Sequence, residues 1–412
     1  MLVGMGVCAA ALFPLTLILP HDALLAEAIL LAACLCGAIL RRIARGEGIA
    51  RTARPPLDPT ARGILAAVIL VTAVFAALNF RYTYAWDGFM IWATKARLLS
   101  HVGSLNREWL LPGDLYGMRH LEYPPAVPLY EALLSLLRGS FDYDKLKPVF
   151  LVFYLSVLIG TYAAARTQLP ARLAAAAAFL VCLLPALSTQ YATGGYADMP
   201  QAAFVAGVVA AGMAGRRDSL PWLIGALTTV KAEGAILAAL ACGGIALFWV
   251  LESGHNVARQ IAASVRGIAV VAAFFLVRFA YVRWVGAPEF VYHGGLAEAL
   301  TRIPQAVRLC LMQLLDPRRW GLFWPAFGAA AIVLLTRGSN REKAISVTTA
   351  VGLALSIVPF LFTTWPLEVH IEQAYFRLAA QLSPAAAVSI VLAYARLRQA
   401  LPARTPLPSS IS

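Results

Sequence analysis

Apolar runs of about twenty residues recur along this chain with little between them, which is the length a helix needs to cross a bilayer core. "GILAAVILVTAVFAALNF" at 63–80 is representative: eighteen residues without a charge. Runs of this kind place spans at 2–20, 22–40, 62–80, 147–165, 172–188, 197–215, 219–233, 235–251, 266–284, 320–336, 344–363 and 376–395. The expectation is an all-α polytopic membrane protein with about twelve transmembrane helices. Only 13% of the 412 residues are charged and 60% are hydrophobic, whereas soluble domains carry about a quarter charged residues. A soluble globular class is excluded. Residues 1–20 have no basic n-region and no small-residue cleavage site, so they read as a first span and not as a signal peptide. The pair 219–251 is too long for one helix and short for two, with "TVKAEGA" at its middle.

Orientation follows from the basic residues. The loop "RRIARGEGIARTARPPLDPTAR" (41–62) holds six arginines and no lysine, so it is expected on the cytoplasmic side. Alternation then puts 81–146 and 285–319 outside. It puts Arg166, Arg172, Arg216, Arg217, the tract 252–265, "RGSNREK" at 337–343 and the tail from Arg396 inside. Basic residues outnumber acidic ones 34 to 21, but the excess lies in short loops; that sets topology and favours anionic lipid, with no nucleic acid implied. The parity holds only if "YPPAVPLYEALLSLL" (123–137) does not cross. This stretch is short, opens on two prolines and contains Glu131, which suits an interfacial or re-entrant helix on the outer face. "LAEALTRIPQAVRLCLMQLL" (296–315) is apolar at helical spacing, with Arg302 and Arg308 on its polar side, and reads as a second interfacial helix. The whole is expected to be one membrane unit: an N-terminal hairpin and basic loop (1–61), a core (62–395) and a cytoplasmic tail (396–412). Cys8, Cys34, Cys36, Cys182 and Cys242 lie in apolar runs as small hydrophobes; with Cys310 they imply no disulfide framework.

Ionisable residues near the outer ends of spans are costly unless they face water or a partner. They form four groups, all assigned to the outer side by the topology above. Arg81, Asp87, Lys95 and Arg97 come first, then His120, Glu122 and Tyr123 before the paired prolines. Asp198 stands in "YATGGYADMPQ" at the start of a span. Lys231 with Glu233, and then Glu368, His370, Glu372 and Arg377 in "WPLEVHIEQAYFR", complete the set. Plainer readings stand beside a chemical one. Asp87 and Asp198 each suit a helix N-cap, Pro200 supports the second cap, His120 and His370 suit structural roles, and Lys231 suits a pair with Glu233. Trp86, Trp92, Trp109 and Trp365 fit an aromatic belt at the headgroups. The chemistry that needs a carboxylate at a lipid–water boundary is sugar transfer from a polyprenyl phosphate. One carboxylate takes the proton of the acceptor hydroxyl, and basic groups stabilise the departing phosphate.

The segments "WDGFMIWATKARLL", "HLEYPPAVPLYEALL", "GGYADMP", "TTVKAEGAILAAL" and "YFRLAAQLSPAA" occur in that order. This order resembles the GT-C superfamily of polytopic glycosyltransferases, on the glycosyltransferase family 39-like branch related to bacterial protein mannosyltransferases and lipid A aminoarabinose transferases. The resemblance covers about 62–395. It implies a catalytic acid just after a span, hence Asp87 as general base. It further implies that Glu122 and Tyr123 with Pro124 and Pro125 line the donor groove, and that Asp198 is the acid of the second outer loop that helps bind acceptor, donor or metal. Lys231 would lie near the lipid phosphate, with Arg377 the late basic residue. Lys95, His120 and His370 are further substrate-binding candidates. Many relatives carry Asp-Glu where this chain has Asp87-Gly88, so a second carboxylate must come from elsewhere. A divalent metal is one option that Asp87, Glu122 and Asp198 leave open; no metal ligand set is assigned.

The expected function is therefore an inner-membrane glycosyltransferase with its active site facing the periplasm. Its partners would be a polyprenyl-phosphate sugar donor, a glycan, lipid or protein acceptor, and membrane lipid. A transporter or flippase of a lipid-linked sugar is the alternative. It predicts inverted repeats and midplane charges, which the sequence does not display. A non-catalytic scaffold would leave no cavity between Asp87 and Asp198.

Overall fold

The computed structural model describes residues 57–81, 84–103, 120–188, 194–253, 264–286 and 295–400. The expected spans 2–20 and 22–40, and Trp109, lie outside the described residues. Helix α1 (Pro59–Arg81) opens on Asp58, whose carboxylate accepts the Ala61 amide at 2.8 Å, a side-chain cap ahead of a proline in the first turn. A π-helical turn at Gly88–Ala93 leads into α2 (Thr94–Val102), and α3 (Ala126–Arg138), α4 (Pro148–Arg166), α5 (Ala171–Cys182) and α6 (Asp198–Met213) follow. Then come α7 (Leu220–Val230), α8 (Gly234–Ser253), α9 (Val265–Val285), α10 (Leu296–Leu314), α11 (Phe323–Arg337), α12 (Asn340–Leu355) and α13 (Leu367–Ala400).

Each expected span from 62 onward falls on helix. By length and composition, six helical segments among the described residues suffice to cross a membrane: Pro59–Asn79, Tyr143–Arg166, Gly234–Glu252, Val265–Val285, Asn340–Leu361 and Leu367–Ala400. Ala171–Cys182, Leu220–Val230 and Phe323–Arg337 are apolar but shorter. The chain is thus an all-α, multi-pass membrane protein, and the expected count of twelve is not reached by length and composition alone. The 219–251 stretch is two helices, α7 and α8, separated at Lys231, Ala232 and Glu233.

Helices α4, α6 and α13 form the centre. From Asp198 to Gly207 every residue of α6 is buried, so this part of the helix has no lipid face. It meets α4 at Gly160, where a methyl group would come 2.9 Å from the Ala206 Cβ; small residues of this kind let helices in lipid approach closely. At the periphery α1 turns Ile69, Leu70 and Val74 outward. Helix α3 spans about 20 Å at 1.5 Å per residue, well short of a bilayer core, and packs on α2. Helix α10 buries Ala306 and Cys310 against Phe360, Ile371 and Tyr375, and leaves Leu296, Leu300 and Leu311 exposed. The free thiols among the described residues are Cys182 and Cys310, both buried, and Cys242.

Polar clamps close the bundle at two levels. At one, Ser339 and Glu342 form a capping box at the start of α12. The buried Glu342 carboxylate also takes Nε and Nη2 of Arg396 at 3.1 and 3.0 Å. Arg341 donates to the Met213 carbonyl at 3.2 Å and Asn340 to that of Leu251 at 2.9 Å, so the ends of α6, α8, α12 and α13 meet here. The other level lies near Arg377, nineteen residues earlier on α13, about 28 Å away along the helix and so close to one hydrocarbon thickness. Replacing Arg396 by Ala would strand the Glu342 carboxylate at a loss of about 3 kcal/mol. Thermal denaturation of the purified protein should show a lower midpoint for Arg396→Ala than for Arg398→Ala, whose side chain stacks on Tyr394.

Candidate active site

Two short stretches build the second clamp, "YAWDG" at 84–88 and "GGYAD" at 194–198. The amide of Ala85 donates to the Gly194 carbonyl at 3.1 Å, which lays one stretch on the other. The contact requires glycine: a Cβ on Gly88 would stand 2.2 Å from the Gly194 oxygen, and one on Gly195, at φ +75°, would strike the Tyr84 ring at 2.0 Å. A side chain at position 88 therefore has no room, and the carboxylate that shares the Arg377 guanidinium with Asp87 is Asp198, from the other stretch.

Asp87 and Asp198 do not cap helices. Asp87 is itself helical (φ −62°, ψ −41°) and makes no capping bond, because the π-helical turn begins one residue later. Asp198 sits in the first turn of α6, where no side-chain cap forms. Both side chains turn to α13. Asp87 Oδ2 lies 2.6 Å from Nη2 of Arg377. Asp198, 1% exposed, receives Nε and Nη2 of Arg377 at 3.2 and 3.0 Å on one oxygen. Its other oxygen takes Lys231 Nζ at 3.2 Å and Gln381 Nε2 at 2.6 Å. Lys231 also pairs with Glu233 at 3.1 Å. The Arg377 guanidinium lies 4.6 Å over the Tyr196 ring. The result is a chain of alternating charge, Asp87–Arg377–Asp198–Lys231–Glu233. Asp198 and Lys231 are enclosed, whereas Arg377 is partly open at 16%, like the terminal carboxylates at 18% for the Asp87 side chain and 22% for Glu233.

The break between α7 and α8 places Lys231. Its carbonyl and that of Ala232 accept Nη1 of Arg278 at 3.3 and 2.8 Å, and Gln201 donates to the Leu227 carbonyl at 3.4 Å. These side chains satisfy helix-end carbonyls that lipid leaves orphaned. Glu233 and Gln381 open onto a recess walled by Ile236, Leu240, Leu355 and Leu378.

The remaining predicted residues lie elsewhere. His120 adopts φ +54° in a tight turn; its carbonyl accepts the Tyr123 amide at 3.0 Å and the Lys95 ammonium. Its ring meets Glu122 at 3.0 Å and stacks on Tyr123 at 4.6 Å, and Tyr123 stacks in turn on Trp92 at 5.6 Å. Burial pulls the Lys95 ammonium down to about 7, with the Glu122 carboxylate acting in the opposite sense. Trp92 is 1% exposed, a wedge in the fold and not a belt residue, while Trp86 and Trp365 are exposed as a belt requires. This turn reaches the charge chain through Arg278, which with Pro124, Pro125 and Tyr281 lines a small recess. His370 belongs to neither group. Its Nδ1 lies 2.7 Å from Thr363 Oγ1 and its ring packs edge-on to Phe360, about 10 Å along α13 from Arg377.

Among the described residues no three His, Cys, Asp or Glu side chains converge as metal ligands. The Asp198 oxygens are occupied by Lys231, Arg377 and Gln381, so these residues as arranged do not fit a divalent cation. Gln381 and Arg278 escaped the sequence reading. Gln381 stands one helical turn after Arg377, on the same face, and Arg278, an arginine in the interior of the 266–284 run, was a signal in itself.

No family model matches the chain, and no curated protein matches it. Solved structures do. The chain matches ArnT from Cupriavidus metallidurans in the apo state with a TM-score of 0.54 at 16% identity, over 81% of this chain and 60% of that one. It matches the same protein bound to undecaprenyl phosphate with a TM-score of 0.51 at 17% identity, over 81% and 59%. The chain has the GT-C fold. It spans about 60% of the length of the ArnT chain it matches.

Because Asp198 binds both cations, removing it leaves Arg377 with Asp87 alone and Lys231 with Glu233 alone, and strips the buried Gln381 amide of its acceptor, a loss of about 3 kcal/mol. Asp198→Ala should therefore lower the thermal midpoint far more than Asp87→Asn, whose side chain is partly open. Equal midpoints for the two variants would contradict this placement of Asp198.

Proposed function

We propose that this protein transfers a sugar from a polyprenyl-phosphate donor to a cell-envelope acceptor, at the outer face of the inner membrane, with Asp87 as general base. The observation that carries the reading is the charge chain itself. Partly open Asp87 stands beside Arg377, which the buried Asp198 links to Lys231, in a lipid-embedded bundle, and a recess with apolar walls leads away from Glu233 and Gln381. The undecaprenyl phosphate bound by the structurally similar ArnT supports a lipid donor of that class. The basic loop 41–62 and the arginines at the Arg396 level support the orientation.

The chemistry is a displacement at the anomeric carbon. The acceptor hydroxyl oxygen forms the new bond to that carbon while Asp87 takes its proton. The bond from the anomeric carbon to the phosphate oxygen breaks, and the electron pair leaves with the lipid phosphate. Lys231 and Arg377 stabilise the charge that gathers there. Asp87 cannot act as a base while it holds Nη2 of Arg377. A donor phosphate that takes this donor group releases the carboxylate, so the base becomes free only when the donor is in place. Asp198 touches no substrate in this scheme; it aims Arg377 and Lys231.

The helix break at Lys231–Glu233 also suits a transporter, and one assay separates the two readings. Purified protein in detergent, without two compartments, is given polyprenyl-phosphate sugars and envelope extract, and release of free polyprenyl phosphate is followed. The enzyme releases it, and Asp87→Asn lowers the rate by about a hundredfold or more while remaining folded. Full turnover by that variant would remove Asp87 from the role of base.

A further inference from the structure

Tyr84 and Glu131 contribute nothing to the charge chain, yet both stretches that carry it close on them. The Tyr84 ring lies where a Cβ on Gly88 or on Gly195 would stand, within 2.8 and 2.0 Å of its carbons. Asp87 is three residues beyond Tyr84, and Asp198 three beyond Gly195. The ring is therefore a pillar between the two loops that aim the two carboxylates. Phe150 meets it edge-on at 6.1 Å, and its hydroxyl donates to Glu131 Oε1 at 2.6 Å. Glu131 sits in the middle of α3, wholly buried, and among the described residues its Oε2 has no partner.

We propose that Glu131 is a positioning residue for the candidate site: by accepting the Tyr84 hydroxyl it fixes the ring on which the Asp87 and Asp198 loops close. An ionised carboxylate in this place would be a buried charge with one neutral partner, which is expensive. Burial accordingly pushes the Glu131 carboxyl up to about 8, with the Tyr84 hydrogen bond opposing in part. The folded protein keeps a proton that an ordinary glutamate gives up near 4.5. Stability therefore falls with rising pH across the window from there to about 8, and the pillar loosens above it.

Among the described residues, the cations near Glu131 are engaged with other partners. Lys147 lies 5.8 Å over the Tyr84 ring and is paired with Asp144 at 2.9 Å. On α2, Lys95 is held by the His120 carbonyl and Arg97 reaches the Tyr143 hydroxyl. On α9, Arg278 is held by the Lys231 and Ala232 carbonyls, and Arg283 lies in the last turn. Helix α7 carries no ionisable side chain, and α4 carries no carboxylate and only Arg166, at its far end.

That Asp87 performs chemistry rests on the function proposed above; the docking of the two loops does not, and the test uses no substrate. Hydrogen exchange of the peptides covering 84–90 and 194–199 is measured on the full chain in nanodiscs at pH 7 and pH 9, after correction for intrinsic rates. Wild type should lose protection about tenfold at pH 9, one unit above the Glu131 midpoint. Glu131→Gln, which still accepts the hydroxyl but cannot ionise, should keep its protection at both values. Tyr84→Phe should be poorly protected at both. Lys95 titrates in wild type and in Glu131→Gln alike, so it cannot produce the difference between them. An equal loss in Glu131→Gln, or undiminished protection in wild type at pH 9, would overturn the proposal. An absence of transfer activity would leave it standing and would count only against the glycosyltransferase reading.

Discussion

Asp198 is a carboxylate removed from water in a bundle whose neighbours are almost all apolar. Such a charge persists only where the fold surrounds it with donors. Four donor contacts reach it, from Arg377, Lys231 and Gln381. Each of these requirements fixes a piece of backbone. Arg377 and Gln381 set the rotation of α13, and Lys231 requires the break between α7 and α8, which Arg278 in turn holds. With Arg377 fixed by Asp198, the remaining reach of its Nη2 is to Asp87, and that sets the turn after α1. The accessible part of the site is thus the far end of a network centred on a residue that touches no solvent.

The same network accounts for the two parts of the site that relatives would have led one to seek as an Asp-Glu pair or a metal. Gly88 has no side chain because the Gly194 carbonyl occupies its place. The second carboxylate is provided from another loop, and it is already bound by cations. Charge neutralisation here comes from guanidinium and ammonium groups, which can pass from a carboxylate to a phosphate without a change in coordination number. Under the proposed function, that exchange would make Arg377 the pivot between a resting site and one holding a lipid phosphate.

Much of this is legible in the sequence, for a physical reason. Charges in an apolar chain stand out, so Asp87, Asp198, Lys231 and Arg377 are visible by residue type alone, and the arginine pattern sorts them to one side. The spans from 62 onward are equally plain. What stays hidden is direction. Asp87 looks like a helix cap because the π-helical turn that carries it into the helix leaves no mark in composition. Trp92 looks like a headgroup tryptophan because a buried indole and an exposed one share a letter. His370 looks like part of the last cluster, though the rotation of α13 turns it to Thr363 and Phe360. Gln381 is neutral and so does not stand out, and Glu131 counts only against a crossing until the Tyr84 hydroxyl gives it a partner.

The central claim is that Asp87 and the phosphate of a lipid donor compete for the same guanidinium. The most direct measurement is the affinity of the full chain in nanodiscs for undecaprenyl phosphate, wild type against Asp87→Asn. Removing the competing charge should tighten binding by about tenfold, the scale of one hydrogen bond between charged groups, even as transfer is lost. Binding that is unchanged or weaker in Asp87→Asn, beside measurable binding in wild type, would contradict the account.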